Sequence, residues 1–282
     1  MPCRESVLIV LKIAVVATLI ACTTAAQAAD CPRKDALGTS RVMTVDPAAF
    51  PRVGLQSFPQ TLPLEDREVV LTFDDGPNPP TTMKILDALS RECVRATFFL
   101  IGQSAAGHPA LVRQMAAAGH TIGHHTWSHA NLGKVSEAAA VEEIERGIAA
   151  DETALQGKLS NSVPTTPFFR FPYFESTPAL LDLLQKRNIA VFGADFWASD
   201  WNKMTPQQEL KLITDRLQVA RKGIILFHDT KAQTAAMMPD FLRYLRENHY
   251  RVVHVVAGPE GAAVPSNPAQ TSGRRKIIRR TT

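Results

Sequence analysis

Hydrophobic and polar positions follow two alternating patterns between residues 68 and 256. Short, mainly apolar runs rich in β-branched and aromatic side chains predict buried strands. Longer stretches with apolar residues three and four positions apart predict amphipathic helices. The predicted strands are 68–73, 95–101, 120–123, 168–171, 189–194, 224–227 and 250–256. Seven strands that alternate with helices predict parallel βαβ units and an α/β fold, either a closed barrel or an open doubly wound sheet.

Start and stop signals mark the predicted helices. Serine and threonine side chains cap the first turn, and proline fits the first helical position because its missing N–H would have no partner there. The predicted starts are Thr81 or Thr82, Pro109, Ser136, Thr177 and Thr205. Gly119 and Gly223 are predicted to end the helices before them.

The N-terminal segment 1–29 has the pattern of a signal peptide. Arg4 precedes an apolar run from Val7 to Ala21, and Ala26 to Ala28 fits an Ala-x-Ala cleavage site. A lysine inside the run leaves an uninterrupted stretch too short for a membrane anchor. We therefore expect export to the periplasm or the outside of the cell. Leu19 to Cys22 also resembles a lipobox, so a soluble and a lipid-anchored protein both stay open.

Three further segments follow the signal sequence. Prolines and weak periodicity predict an extended arm over 30–66, before the α/β domain at 67–257. Residues 258–282 are predicted to be a disordered tail, which carries five basic residues against Glu260. Most of the net charge of +4 lies in that tail, so the body is nearly neutral and nucleic acid is not an expected partner. Two roles stay open for the tail, tethering to anionic envelope polymers or a merely solvated end.

Cysteine usage is compatible with an oxidising compartment. Removal of the signal segment leaves Cys31 and Cys93. Two thiols in an exported protein predict a disulfide that joins the arm to the first helix of the domain. The alternative is that Cys93 is a small buried apolar residue.

Ionisable residues cluster after five of the seven predicted strands. In parallel α/β folds, functional residues collect at these carboxyl ends. The clusters are Asp74-Asp75-Gly76-Pro77, His124-His125-Thr126-Trp127-Ser128-His129, Arg170-Phe171-Pro172-Tyr173, Asp195 to Trp201, and His228-Asp229. Each alone has an ordinary explanation as a turn or a helix cap, but together they predict one site.

The residue types in this site suit a hydrolytic metal centre. His125 and His129, at i and i+4, can bind a divalent cation, and Asp74 or Asp75 would complete three ligands and leave room for water and substrate. The other aspartate can accept a proton from that water, and His228 can protonate a leaving group. Two histidines and a carboxylate also describe non-haem iron oxygenases, but those sites need no Asp-Asp or His-Asp partners.

In type and order, the clusters resemble the five motifs of the polysaccharide deacetylases of carbohydrate esterase family four, over about residues 68–256. The resemblance implies a distorted (β/α)7 barrel of TIM-barrel-like form. It implies that Asp75, His125 and His129 hold a divalent metal, usually Zn²⁺, and that Asp74 is the general base.

The same resemblance implies supporting roles for the other motif residues. Arg170 would pair with Asp74 and keep it ionised, and Asp200 would raise the pKa of His228 so that it can protonate an amine. The backbone N–H of Tyr173 would stabilise the substrate oxyanion. The residues that would line the pocket for the acetyl methyl are Trp201 and Leu226.

Three positions depart from the family pattern. Phe174 stands where the family commonly has glycine, and Trp197 stands at the first position of a motif usually written Asp-x-x-Asp-Trp, with Asp195 two residues earlier. His124 occupies a position that is often asparagine. The first two departures would reshape the sugar groove, so they bear on the identity of the substrate.

The expected function is metal-dependent removal of N-acetyl groups from an N-acetylglucosamine-containing polymer or oligomer, of the chitooligosaccharide or peptidoglycan type. We expect the protein to act as a monomer. Two alternatives are an esterase that removes O-acetyl groups from acetylated xylan and an inactive carbohydrate-binding relic. Acetate release from chitin oligomers against acetylxylan separates the first alternative. The presence of every implied catalytic residue argues against the second.

Overall fold

A computed structural model describes residue 31, residues 33–157 and residues 164–258. The predicted signal segment, the Cys22 lipobox and the tail from residue 259 onward lie outside the described residues. Among the helices of the described ranges, none has the length and apolar character needed to cross a membrane.

Ten strands and seven α-helices make up the described part of the chain. The strands are β1 (Thr39–Val45), β2 (Arg52–Val53), β3 (Glu68–Asp74), β4 (Thr97–Leu100), β5 (Thr121–His124), β6 (Phe168–Phe169), β7 (Ala190–Phe192), β8 (Phe196–Trp197), β9 (Gly223–His228) and β10 (Arg251–Ala257). The helices are α1 (Pro79–Arg91), α2 (Gly102–Gly107), α3 (Pro109–Ala117), α4 (Glu137–Gln156), α5 (Pro178–Lys186), α6 (Pro206–Ala220) and α7 (Ala232–Glu247).

The strands form one parallel sheet, which confirms the predicted α/β class. Its ladders run in the order β8, β9, β3, β4, β5, β6, β7 and β2. β7 and β8 are only three residues apart in the chain, yet β7 pairs with β6 and β8 with β9. β7 therefore extends the sheet at the β6 end, and β8 extends it at the β9 end. No ladder joins β7 to β8 in the described sheet. The result is a distorted seven-stranded barrel whose hydrogen-bonded ring is not closed.

The N-terminal arm is more regular than the sequence predicts. Instead of an irregular extended segment, it contributes β1, which pairs with β10 along its length, and β2, which pairs with β7. The predicted last strand of the domain, β10, has a ladder of only two residue pairs with β3. The arm also begins with a disulfide between Cys31 and Cys93. Pairing between segments about 200 residues apart leaves no periodic signal, because it depends on packing and not on local pattern.

Side-chain alternation along β3 explains which residues can reach the site. Val69, Leu71 and Phe73 pack in the outer core beneath the helices. Val70 packs in a second, inner core with residues of the arm. Because successive strand residues face opposite sides, Thr72 and Asp74 share the inner face with Val70. The carboxylate at the end of β3 is thereby directed into the mouth of the barrel.

Several predicted helix boundaries are confirmed, and two are wrong. Ser136 and Thr177 cap their helices, and Thr205 forms a full capping box. α1 begins at Pro79, ahead of the predicted threonines. α6 ends at Ala220, and Gly223 instead begins β9, where a Cβ would lie 2.8 Å from the Asp195 side chain. Gly223 is needed there because two segments approach each other closely. A glycine required for this reason cannot be told in the sequence from a glycine that ends a helix.

Candidate functional site

Strand register brings the motif residues to one edge of the sheet. Asp74 at the end of β3 pairs with His228 at the end of β9 and with Phe99 of β4. His124 at the end of β5 pairs with Phe169 of β6, directly before Arg170. The carboxyl ends of these five strands therefore lie at one level, as expected for a parallel α/β fold.

Three side chains form a cluster suited to a metal ion. One ligand atom each from Asp75, His125 and His129 lie within 4.8 Å of one another. Asp75 Oδ1 is 3.2 Å from His129 Nε2 and 3.6 Å from His125 Nε2. This carboxylate oxygen is buried and has no hydrogen-bond partner. A buried, unpartnered carboxylate facing two imidazole nitrogens fits a divalent cation.

The surroundings orient both imidazoles of the cluster. His125 Nδ1 lies 2.7 Å from the Arg170 carbonyl, so it carries the proton and leaves Nε2 free as a ligand. Burial lowers the pKa of His125 to about 3, which keeps it neutral. His129 Nδ1 lies 3.2 Å from the Tyr173 hydroxyl. Asp75 and His129 both have left-handed backbone conformations, which are costly for residues other than glycine and are typically retained at functional sites.

A buried ion pair lies beside this cluster. Asp74 Oδ1 accepts a 2.7 Å hydrogen bond from Arg170 Nη1, and both side chains are buried. Arg170 also donates to the carbonyls of Phe192 and Gly193 and to the hydroxyl of Thr72, so its position is fully determined. Burial raises the pKa of Asp74, and the positive charge of Arg170 opposes that rise. Asp74 Oδ2 faces His125 Nε2 at 3.9 Å.

A histidine–aspartate pair lies on the other side of the cluster. His228 Nδ1 is 2.7 Å from Asp200 Oδ1, and Nε2 is 4.0 Å from Asp75 Oδ2. Asp200 Oδ2 accepts from the His228 backbone N–H at 2.6 Å. Burial disfavours the charged imidazole, but the hydrogen bond and charge of Asp200 prevail and raise the pKa of His228 to about 9. A protonated imidazole is therefore aimed at the space above the cluster.

Comparison with known proteins identifies the family. A protein-family sequence model described as polysaccharide deacetylase matches residues 61–192. A chitooligosaccharide deacetylase of Rhizobium leguminosarum bv. trifolii is 47% identical over 166 residues, which cover 58% of this chain and 73% of that protein. The chain belongs to the polysaccharide deacetylase family.

Two other polysaccharide deacetylases extend this comparison. A peptidoglycan-N-acetylglucosamine deacetylase of Bacillus cereus is 40% identical over 139 residues, which cover 49% of this chain and 48% of that protein. The chain thus spans about half the length of that relative. The solved structure of a Bdellovibrio bacteriovorus peptidoglycan deacetylase matches with a TM-score of 0.70 and 29% identity, over 82% of this chain and 62% of that one.

The other residues implied by the polysaccharide deacetylase motifs lie around the same opening. Tyr173 is 62% exposed, and its ring stands edge-on to His129 with centroids 4.7 Å apart. Trp201 is 49% exposed, and its ring is perpendicular to His228 at 5.9 Å. Leu226 is buried two positions before His228, on the inner face of β9.

Two polar residues of the motif regions do not join the site. The carboxylate of Asp195 instead accepts hydrogen bonds from the backbone N–H groups of Leu55 and Ile224. His124 faces away from His125, because neighbouring strand residues point to opposite sides, and its Nδ1 lies 2.8 Å from Asp151. Both residues support the fold around the site without lining it.

Sequence reasoning missed two buried residues behind Asp200. The Thr234 hydroxyl is 2.9 Å from Asp200 Oδ2 and 2.9 Å from Glu209 Oε1. A hydroxyl has one hydrogen, so one of these carboxyl groups must be protonated if both contacts are hydrogen bonds. Burial and the nearby charge of Asp200 raise the pKa of Glu209 to about 7, which favours the proton on Glu209. Both residues occupy unremarkable positions on α6 and α7, so no sequence motif pointed to them.

Proposed function

We propose that this chain is a metal-dependent hydrolase that removes N-acetyl groups from N-acetylglucosamine-containing polysaccharides or oligosaccharides, of the peptidoglycan or chitooligosaccharide type. The carrying observation is the arrangement of the Asp75–His125–His129 cluster between two proton-transfer pairs, Asp74–Arg170 and His228–Asp200. The relatives named for deacetylation of these polymers support the choice of substrate.

In this proposal, Asp75, His125 and His129 would hold the cation, and a set of two imidazoles and one carboxylate favours Zn²⁺. When bound, the cation would polarise the acetyl carbonyl and make an attacking water more acidic. Two neutral imidazoles and one carboxylate leave the cation a net positive charge for this purpose. Trp201 at the edge of the opening and Leu226 in its wall would hold the acetyl group in place.

Proton transfer is assigned to the two flanking pairs. Asp74 accepts a proton from a water molecule while the oxygen of that water bonds to the acetyl carbon. Arg170 holds the Asp74 carboxylate in place. The backbone N–H of Tyr173 would donate to the oxygen that becomes negative. His228 then gives its proton to the sugar nitrogen as the carbon–nitrogen bond breaks. The products are acetate and a free amine.

We also infer that the protein works in the periplasm or outside the cell. The Cys31–Cys93 bond supports an oxidising compartment, and the pattern of residues 1–29 supports export. The basic residues of the tail would favour association with anionic envelope polymers.

Product analysis tests the proposed function. Purified full-length mature protein, loaded with Zn²⁺, is incubated with chitin oligosaccharides, peptidoglycan fragments and acetylated xylan. Released acetate is measured, and the sugar products are examined by mass spectrometry. We expect acetate and free amines from an N-acetylated glycan. Acetate from acetylated xylan alone would replace the proposal with an O-acetyl esterase, and no acetate from any substrate would refute it.

The pH profile tests the role of Asp200. His228 must be protonated to donate, so kcat/KM of the wild type should fall as pH rises through about 9. Asp200→Asn removes the charge that sustains this raised pKa and should move the alkaline limb to lower pH by one unit or more, roughly the effect of one close ion pair. An unmoved limb would contradict this role.

The same titration has a stability consequence. Because the folded-state pKa of His228 is raised from 6.5 to about 9, its contribution to stability is complete below the lower value and lost as pH rises through the higher one. The difference in unfolding free energy between the wild type and Asp200→Asn should therefore narrow between these two pH values. Denaturant titrations across this range measure it.

Thr234→Val tests the buried pair behind Asp200. The substitution keeps the side-chain shape but leaves Asp200 and Glu209 without their shared hydroxyl. We expect kcat to fall about threefold to tenfold with KM unchanged, and unfolding to require about 1–3 kcal/mol less. Thr214→Val is the matched control, since its hydroxyl bonds only backbone carbonyls of α6. A Thr234→Val enzyme with wild-type kcat would show that the pair does not act on His228.

A further inference from the structure

Aromatic side chains form a continuous arc along one side of the site, here called the aromatic rim and made of Tyr173, Phe174, Trp197 and Trp201. The Phe174 and Trp197 rings stack with centroids 5.9 Å apart and an interplanar angle of 24°. Trp197 and Trp201 meet edge-on at 5.8 Å. The arc begins at the cluster residue His129, which Tyr173 contacts, and ends at His228, which Trp201 contacts.

The rim is exposed where ordinary packing would hide it. Tyr173 and Trp201 are the two aromatic residues among the strongly exposed large apolar side chains of the described ranges. Phe174 and Trp197 between them are half-buried. An apolar patch that borders a polar site typically marks a binding surface.

The backbone holds the rim in position before any ligand arrives. Phe174 adopts a φ of 57°, a left-handed conformation that is costly for a bulky residue. Arg216 of α6 donates to the Trp197 carbonyl and to the Ser199 hydroxyl. Gln233 of α7 donates to the carbonyl of Asp200 next to Trp201. Rings supported in this way lose little conformational entropy on binding.

We infer that the aromatic rim is a binding site for a second sugar ring, adjacent to the one that is deacetylated. This inference rests on the proposed function and adds to it a requirement for oligomeric substrate. A β-linked hexopyranose carries axial C–H groups on its faces, and these apolar faces pack on aromatic rings. The stacked Phe174–Trp197 pair offers such a face beside the Trp201–His228 contact, so the neighbouring ring of a polymer would lie on the pair while its partner occupies the site.

Substrate length distinguishes this site from the catalytic centre. Kinetics are measured on N-acetylglucosamine, which has no second ring, and on chitin pentasaccharide for the wild type, Phe174→Gly and Trp197→Ala. Phe174→Gly removes a ring at a positive φ, where glycine is unstrained. We expect each variant to raise KM for the pentasaccharide about fivefold to tenfold, with kcat on the pentasaccharide and kcat/KM on N-acetylglucosamine unchanged. Trp197→Phe should restore most of the affinity, because it keeps an aromatic face.

Two controls make the result decisive. Tyr244→Ala removes a ring from another stacked pair, with Tyr250, outside the site, and should leave both substrates unaffected. Equal loss on N-acetylglucosamine and pentasaccharide, or no change on either, would overturn the inference. Calorimetric binding of chitin pentasaccharide tests the rim without turnover. If the wild type binds the pentasaccharide more tightly than Trp197→Ala but has no deacetylase activity, the proposed function is refuted and the rim is supported. If both proteins bind equally, or neither binds, the rim is refuted.

Discussion

Asp74→Asn is expected to lower kcat for deacetylation by about a thousandfold, within the range typical of a lost general base. The amide keeps an oxygen that can accept from Arg170 Nη1, so the geometry of the pair can persist. It cannot take a proton from water at neutral pH. Metal content should stay at the wild-type level, because Asp74 is not one of the three cluster residues.

The same substitution should cost stability. Arg170 is completely buried, and Asp74 is the carboxylate that pairs with it. Removing one partner of a buried pair leaves an uncompensated charge, a cost of about 3–5 kcal/mol. Thermal unfolding therefore has to accompany the kinetic assay, with measurements made well below the variant's Tm.

Asp195→Asn is the matched control for Asp74→Asn. Its carboxylate also lies after a strand and is also hydrogen-bonded, but to the backbone of Leu55 and Ile224 and away from the cluster. It should retain kcat even if it unfolds more easily. Activity of Asp74→Asn within tenfold of the wild type, in a folded and metal-loaded protein, would remove Asp74 from the role of base.

His125→Ala is expected to abolish both bound metal and turnover. The substitution removes one of three ligands, and the remaining Asp75 and His129 offer too few donors for a stable site. Elemental analysis of the purified protein should find the metal content reduced from near one equivalent to background. Activity should fall with it, since the electrophile at the carbonyl is lost.

His124→Ala provides a closely matched control for this prediction. His124 and His125 are adjacent and both buried, so both substitutions leave a similar cavity. The His124 ring, however, contacts Asp151 on the opposite side of β5. Metal should survive in His124→Ala and disappear in His125→Ala. Equal metal content in the two variants would contradict the assignment of His125.

Local patterns in the sequence determined most of the parallel fold and the level at which the site lies. Strand and helix periods depend on neighbouring residues, so β3, β4, β5 and β9 were predictable to within a few positions. The alternation along β3 directs Asp74 inward whatever surrounds it. The motif resemblance then named the residues that the strand ends bring together.

Choices between adjacent residues needed the tertiary structure. The sequence does not distinguish Asp74 from Asp75 as a metal ligand. In the structure, Asp74 is hydrogen-bonded to Arg170, whereas Asp75 has an oxygen without a hydrogen-bond partner that faces two imidazoles. Asp195 lies in a motif region and yet its hydrogen bonds go to the arm and β9. These outcomes depend on partners far away in the chain, which local pattern does not specify.

The longest-range features were decided by packing alone. β1 pairs with β10 across more than 200 residues. Thr234 of α7 contacts both Asp200 and Glu209 of α6, and Phe174 stacks on Trp197 of β8. By itself, the sequence determined the periods, the caps and the chemistry available at each strand end. Which of those groups meet was decided by the pairing of the strands and the burial of the cores, because contact between distant segments depends on how the whole chain fills space.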